Sequence, residues 1–199
     1  MKPRLVIFAK APLMGKAKTR LAADVGYPHA QRLYRAMTAN VLRRVTDPRW
    51  ETVLAVSPDR RLGQFPLWER LPQVPQGQGS LSPRLARAFA TPRPTCVIGT
   101  DCPGVEAQDI ANAFRLLRRN ALVLGPADDG GFWLMAARGP LPEGVFEDVR
   151  WSTEHALKDV AANSPGPVAR LRTLTDADDL RAWRRASAEA KGGRARRLS

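Results

Sequence analysis

Soft metal-ligating side chains are almost absent from this sequence of 199 residues, which holds two cysteines and two histidines. One cysteine pair, Cys96 and Cys102, is too few for a disulfide framework, and without neighbouring histidines it argues against a structural zinc site. Long apolar runs are missing as well. Nothing approaches the about 20 residues that cross a bilayer, and Leu5 to Ala9 is too short for the core of a secretory signal. The expected localisation is therefore cytoplasmic, with no membrane span. Two nucleotide motifs fail for want of glycine. A Walker loop needs one where Lys10 stands, five residues before Gly15, and a dinucleotide fingerprint needs three at fixed spacing. No internal repeat is present.

Acids are scarce, 19 against 32 basic residues, for a formal net charge of +13. Such an excess raises nucleic acid as a partner. Yet 26 of the basic residues are arginines scattered over every segment, and no recognition helix, RNA-binding signature or zinc finger accompanies them. Charge concentrates only from Arg181 onwards. Residues 191–199 read as a flexible, solvated basic tail, and residues 1–190 as one domain. Nucleic acid is not an expected partner.

What the sequence does hold is alternation. Short apolar runs predict strands at Leu5–Ala9, Thr52–Val56, Thr95–Gly99, Ala121–Leu124, Phe132–Ala137 and Val168–Leu174. Between them, helical spacing predicts helices at Pro28–Val45, Leu81–Ala90, Ala107–Leu117, Thr153–Ala162 with Ser152 as N-cap, and Asp176–Ala188 with an acid-rich first turn. Residues 60–80 read as a long loop near the site. Strands separated by helices imply βαβ units: an α/β three-layer sandwich around a mostly parallel central sheet. In such sheets ligands sit beyond the carboxyl ends of the strands.

Three loops after strands carry chemistry. The first holds Lys10, Pro12, Gly15, Lys16, Lys18, Thr19 and Arg20. Glycine allows a tight backbone path, lysines add mobile positive charge, and an arginine grips phosphate with two donors. The alternative is a basic, solvated loop. The second, Gly99-Thr100-Asp101-Cys102-Pro103, sets a carboxylate at a strand end opposite that basic loop, where it can share magnesium with a diphosphate. An Asp this close to a Pro is also an ordinary turn former. The third, Asp128-Asp129-Gly130-Gly131, brings two carboxylates to a pocket rim or makes a hairpin turn without further role.

The stretches FAKAPLMGKAKTRL, IGTDCPG, LGPADDGGFWL and VRWSTEHAL resemble, in order, the motifs of a family of GT-A-type, nucleotide-diphospho-sugar-transferase-like proteins. That family is glycosyltransferase-like, is associated with radical-SAM/selenodomain gene clusters, and is similar to the guanylyltransferases that build the deazaflavin and molybdenum cofactors. The resemblance runs from about residue 4 to residue 183. It implies a GT-A α/β sandwich, a nucleotide over the first loop, and magnesium or manganese held by Asp101. Site roles follow from it. Lys10, Pro12, Gly15, Lys18, Thr19, Arg20 and Arg84 bind nucleotide or phosphate, and Asp101, Asp128 and Asp129 are catalytic. Gly130, Gly131, Trp151 and Ser152 face the acceptor. Two departures stand out. Where the family reads Q-x-G-x-D-L-G-x-R, the chain has Gln76-Gly77-Gln78-Gly79-Ser80-Leu81-Ser82-Pro83-Arg84, losing the acid and the second glycine. Its D-V-D-T aligns with Thr173-Leu174-Thr175-Asp176, replacing two acids by threonine.

The expected function is glycosyl transfer from a nucleoside-diphosphate sugar to an unknown acceptor. The runner-up is nucleotidyl transfer from a nucleoside triphosphate with release of pyrophosphate, because the same loop and metal stabilise charge on either leaving group. A third reading, nucleotide binding without turnover, rests on the acids replaced at Ser80, Thr173 and Thr175.

Overall fold

A computed structural model describes residues 1–15 and 18–195. Lys16 of the first loop, with Ala17, and residues 196–199 of the expected tail lie outside the described residues.

Seven strands form one sheet in the order β3-β2-β1-β4-β6-β5-β7. They are β1 (Arg4–Lys10), β2 (Glu51–Ser57), β3 (Gln73–Pro75), β4 (Thr95–Ile98), β5 (Leu122–Pro126), β6 (Phe132–Ala137) and β7 (Val168–Arg170). All neighbours pair in parallel except β6, which runs antiparallel to both β4 and β5. Six strands therefore point their carboxyl ends to one edge of the molecule. The turn at Asp128–Gly131 is indeed a hairpin connection, and it too opens at that edge.

The strand period of two sorts side chains onto two faces. Leu5, Ile7, Ala9, Leu54, Val56, Cys96, Ile98 and Leu134 face one core, with helices α2 (Tyr27–Val45) and α4 (Ala107–Leu116) supplying Val41, Val45, Ile110 and Leu117. Val6, Ala55, Val97, Leu122, Leu124 and Met135 face the other, covered by α3 (Leu81–Ala88) and α5 (Ala156–Ala162) through Leu85, Phe89, Leu157 and Val160. Helix layers on both sides of a mostly parallel sheet make the expected sandwich. Among the described residues no helix is long and apolar enough to cross a membrane.

Several boundaries move. Residues 60–80 are not a bare loop: two 3-10 turns (Asp59–Arg61 and Pro66–Trp68) and edge strand β3 lie in and beside them. A short helix α1 (Thr19–Val25) precedes α2, and Gly26, at φ 78°, breaks the chain between them. Ser152 does not cap α5; His155 precedes its first residue. The last helix, α6 (Leu180–Ala195), starts four residues later than expected and runs past Ala188 into the expected tail. Residues 176–179 thus precede the helix and belong to neither helix nor strand. That shift matters most for the site.

Candidate functional site

Backbone hydrogen bonds thread residues 174–178 along the open edge. Leu174 N donates to Pro126 O at 3.0 Å, Asp128 N to Leu174 O at 3.1 Å, and Ala177 N to Asp101 O at 2.9 Å. Asp128 Oδ1 accepts from Asp176 N at 3.0 Å. The segment therefore lies between the loop after β4 and the hairpin after β5. From there Asp176 and Asp178 meet Asp101.

Their common partner is Lys18. Its Nζ stands 2.7 Å from Asp101 Oδ1, 2.8 Å from Asp178 Oδ1 and 3.6 Å from Asp176 Oδ1, with only 4% of the side chain exposed. Burial alone would push the ammonium below the usual lysine range, but the pull of three carboxylates wins and raises it. Burial pushes Asp176 up to about 7; Lys18 opposes that shift, while Asp101 and Asp178 add to it. Asp178 is also penalised by burial, yet Lys18, Arg20 and Lys10 hold it below the usual carboxylate range.

Lys18, expected on the phosphates, thus has its ammonium among acids. Arg20 is exposed and pairs with Asp178 Oδ2 at 3.3 Å. Lys10 and Thr19 are exposed at the same edge. Gly15 adopts φ 71°, the left-handed region that favours glycine. Pro12 is different. It is buried, its carbonyl accepts from Gln31 Nε2 at 2.5 Å, and it lines a small cavity with Arg35, Thr38, Phe65 and Trp68. On the opposite side of β1, a groove of about 290 Å³ opens beyond β2 and β3, lined by Ser57, Asp59, Gly77, Gly79 and Arg84. Arg84 donates to Gln76 Oε1 at 3.4 Å, and its Nε is buried without a partner.

Asp128 accepts from Asp176 N and pairs with Arg185, each at 3.0 Å. Asp129 is exposed, and its Oδ1 accepts from Gly131 N at 2.9 Å. Gly130 and Gly131 pass beneath a strap of residues 149–155. There Trp151 stacks near Phe132 and Phe146 and donates Nε1–H to Ser82 at 2.8 Å, while Ser152 turns outward at φ 61°.

An ion pair fastens the strap: Arg150 reaches Asp159 at 2.7 Å, and the side-chain and backbone donors of Arg150 hold that carboxyl down at about 2. A depressed carboxyl stabilises the fold above its ordinary value of about 3.9, and the contribution disappears as pH falls through the folded value. Asp159→Asn should therefore melt below wild type at neutral pH. The gap should narrow through the window from about 4 to about 2. Thermal unfolding across that range checks it.

Asp176 and Asp178 are the site residues that the sequence motifs did not single out. Two acids spaced by one, Asp176-Ala177-Asp178, stand three residues beyond the aligned threonines. Thr175 itself donates to Glu189 Oε1 at 2.7 Å. The D-x-D spacing ahead of α6 was the usable signal. Among the described residues no three ligating side chains stand at metal spacing; the acids are set around an ammonium.

Solved structures share this architecture. A protein from Desulfovibrio desulfuricans described as a "putative nucleotide-diphospho-sugar transferase" is 21% identical, with 96% of this chain and 97% of that one aligned at a TM-score of 0.79. Rv0371c of Mycobacterium tuberculosis, solved in complex with manganese, is 15% identical over 94% of this chain and 98% of its own, at 0.54. The 4-diphosphocytidyl-2C-methyl-D-erythritol synthase of Anaerococcus prevotii is 11% identical over 95% and 98%, at 0.57. At such identities the likeness is one of fold, the nucleotide-diphospho-sugar transferase type. No curated protein matches the chain. A family model described as an uncharacterized protein conserved in bacteria, DUF2064, matches residues 38–153, from within α2 to the strap, and the chain belongs to that family.

Proposed function

We propose that the chain is a nucleotide-binding transferase that moves a glycosyl group from a nucleoside-diphosphate sugar to an acceptor, with magnesium or manganese. The observation that carries this reading is the convergence of Asp101, Asp176 and Asp178 on one point beside the basic loop, at the carboxyl edge of a sheet of this type. Hard carboxylate oxygens suit either ion by their chemistry, although their present spacing is that of an ammonium contact. Bound there, the cation would neutralise charge on the departing diphosphate.

The chain's own residues do the rest. The nucleoside fits the groove between Asp59, Gly77 and Arg84, and the phosphates run towards Lys10 and Arg20 across the end of β1. Lys10 and Arg20 bind phosphate oxygens as the bond from the sugar carbon to the diphosphate breaks. The acceptor lies over Gly130 and Gly131, shielded from water by Trp151 and flanked by Ser152. Asp129 is placed to take the proton of its hydroxyl.

Nucleotidyl transfer is the second reading, favoured by the fold likeness to the Anaerococcus synthase. Incubation with manganese and either pooled sugar nucleotides or pooled nucleoside triphosphates separates the two. Release of nucleoside diphosphate from the first pool supports glycosyl transfer, and pyrophosphate from the second alone replaces it. Binding with neither product points to the reading without turnover, which rests on the acids replaced at Ser80, Thr173 and Thr175.

A further inference from the structure

Lys18 is a loop lysine whose ammonium lies inside an acidic cluster, and phosphate binding does not explain that position. We propose that Lys18 is a resident counter-cation that occupies the place of the divalent ion, and that metal entry expels it towards the phosphates. This makes it the positioning residue through which metal and nucleotide binding are coupled. The inference rests on the reading of Asp101, Asp176 and Asp178 as the metal-holding set.

Four features converge on it. Oxygens of three carboxylates from two separate chain segments surround one nitrogen at 2.7, 2.8 and 3.6 Å. Three carboxylates against one ammonium leave the cluster negative, and among the described residues Arg20 pairs with the outer oxygen of Asp178 alone. A divalent ion at the same point carries twice the charge to the same oxygens. The cluster also holds an unfilled acceptor: Asp176 Oδ1 is buried and makes no hydrogen bond, since the ammonium at 3.6 Å is beyond bonding distance. The ammonium donates a hydrogen bond to Asp178, makes a close ion pair with Asp101 and leaves the third acid underserved.

Access and backbone complete the case. About half of the Asp101 and Asp178 side chains is open to solvent while Lys18 is covered, so a hydrated ion meets the acids from outside. Lys18 itself sits at φ 53°, ψ 50°, a left-handed conformation that a non-glycine residue adopts at a cost, and its own side chain does not cap α1. The anchored ammonium holds the residue in that conformation, and its departure relieves it. Lys10, Arg20 and the end of β1 lie next to the vacated position, so phosphate is the acceptor of the displaced charge.

Two measurements with manganese alone as the probe test this. Amine acylation of the wild-type chain, read by mass spectrometry, should find Lys18 protected without metal and strongly labelled with it, while exposed Lys2 and Lys158 stay constant. Lys18→Met removes the competitor, and because apparent affinity scales with the fraction of molecules whose site is free, manganese should bind it about tenfold more tightly or better. Manganese binding to wild type with Lys18 still protected, or bound no more tightly by Lys18→Met, overturns the displacement and leaves the metal reading standing. Absence of manganese binding in both proteins removes the metal reading and the inference together. If Lys18→Met fails to fold, the wild-type labelling alone decides.

Discussion

Asp101→Asn is expected to abolish the mutual reinforcement of metal and nucleotide while sparing nucleotide binding in the absence of metal. Each ligand of a coupled pair must raise the other's affinity by the same factor. On the proposed reading, wild-type metal and phosphates share the cluster at which Lys18 now stands 2.7 Å from Asp101. Asparagine keeps the shape and removes the charge. A charge-assisted contact contributes about 1.5–3 kcal/mol, so affinity measured with manganese present should fall at least about tenfold. Without metal, the weaker hold on Lys18 leaves phosphate binding unchanged or tighter. Calorimetric titration of nucleotide into both proteins, with and without manganese, reads all four values. A wild type without coupling would reduce Asp101 to a turn residue and move non-catalytic binding to first place.

The largest stability effect is expected at Gly130. It adopts φ 87°, and a Cβ there would lie 2.4 Å from the Cα and carbonyl oxygen of Glu154. Both obstacles are backbone, so no side-chain rotation relieves them. Gly130→Ala combines left-handed strain of about 1–3 kcal/mol with an overpacking cost of about 1–3 kcal/mol. For a chain of this length, about 1 kcal/mol shifts the melting temperature by about 2–4 °C. A fall of at least about 5 °C follows. The strap carrying Trp151 and Ser152 should loosen first, visible as faster hydrogen exchange at Leu157 N, which donates to Gly130 O at 3.3 Å. An unchanged melting temperature would show that the strap does not depend on its seat over the hairpin.

Local pattern made the frame legible. Leu5, Ile7 and Ala9 alternate with Val6 and Phe8, and that period alone assigns β1 and its two faces. The four-residue spacing of Met37, Val41 and Val45 does the same for α2. Where the signal was short it failed. Strand β3 has three residues and a proline, so its place in the sheet comes only from pairing with Leu54 to Val56. Helix α1, two turns long, carries too few apolar positions to show a period; Leu21 and Ala22 are buried because Ala30, Leu180 and Trp183 pack on them.

The sequence by itself determined the α/β class, the carboxyl-edge loops and the acid Asp101. Hydrophobic period and loop placement are local properties of consecutive residues. Tertiary structure decided that β6 turns antiparallel, that the Pro12 carbonyl meets Gln31, and that Asp128 is tied to Arg185. It also decided that Asp176 and Asp178 belong to the site and not to a helix turn. Their position depends on Ala177 N bonding Asp101 O and Leu174 N bonding Pro126 O, contacts between segments far apart in the chain. Lys18 shows the same limit most clearly: its charge is written in the sequence, but which opposite charges it meets is fixed only when β1, β4 and the segment before α6 come to one edge.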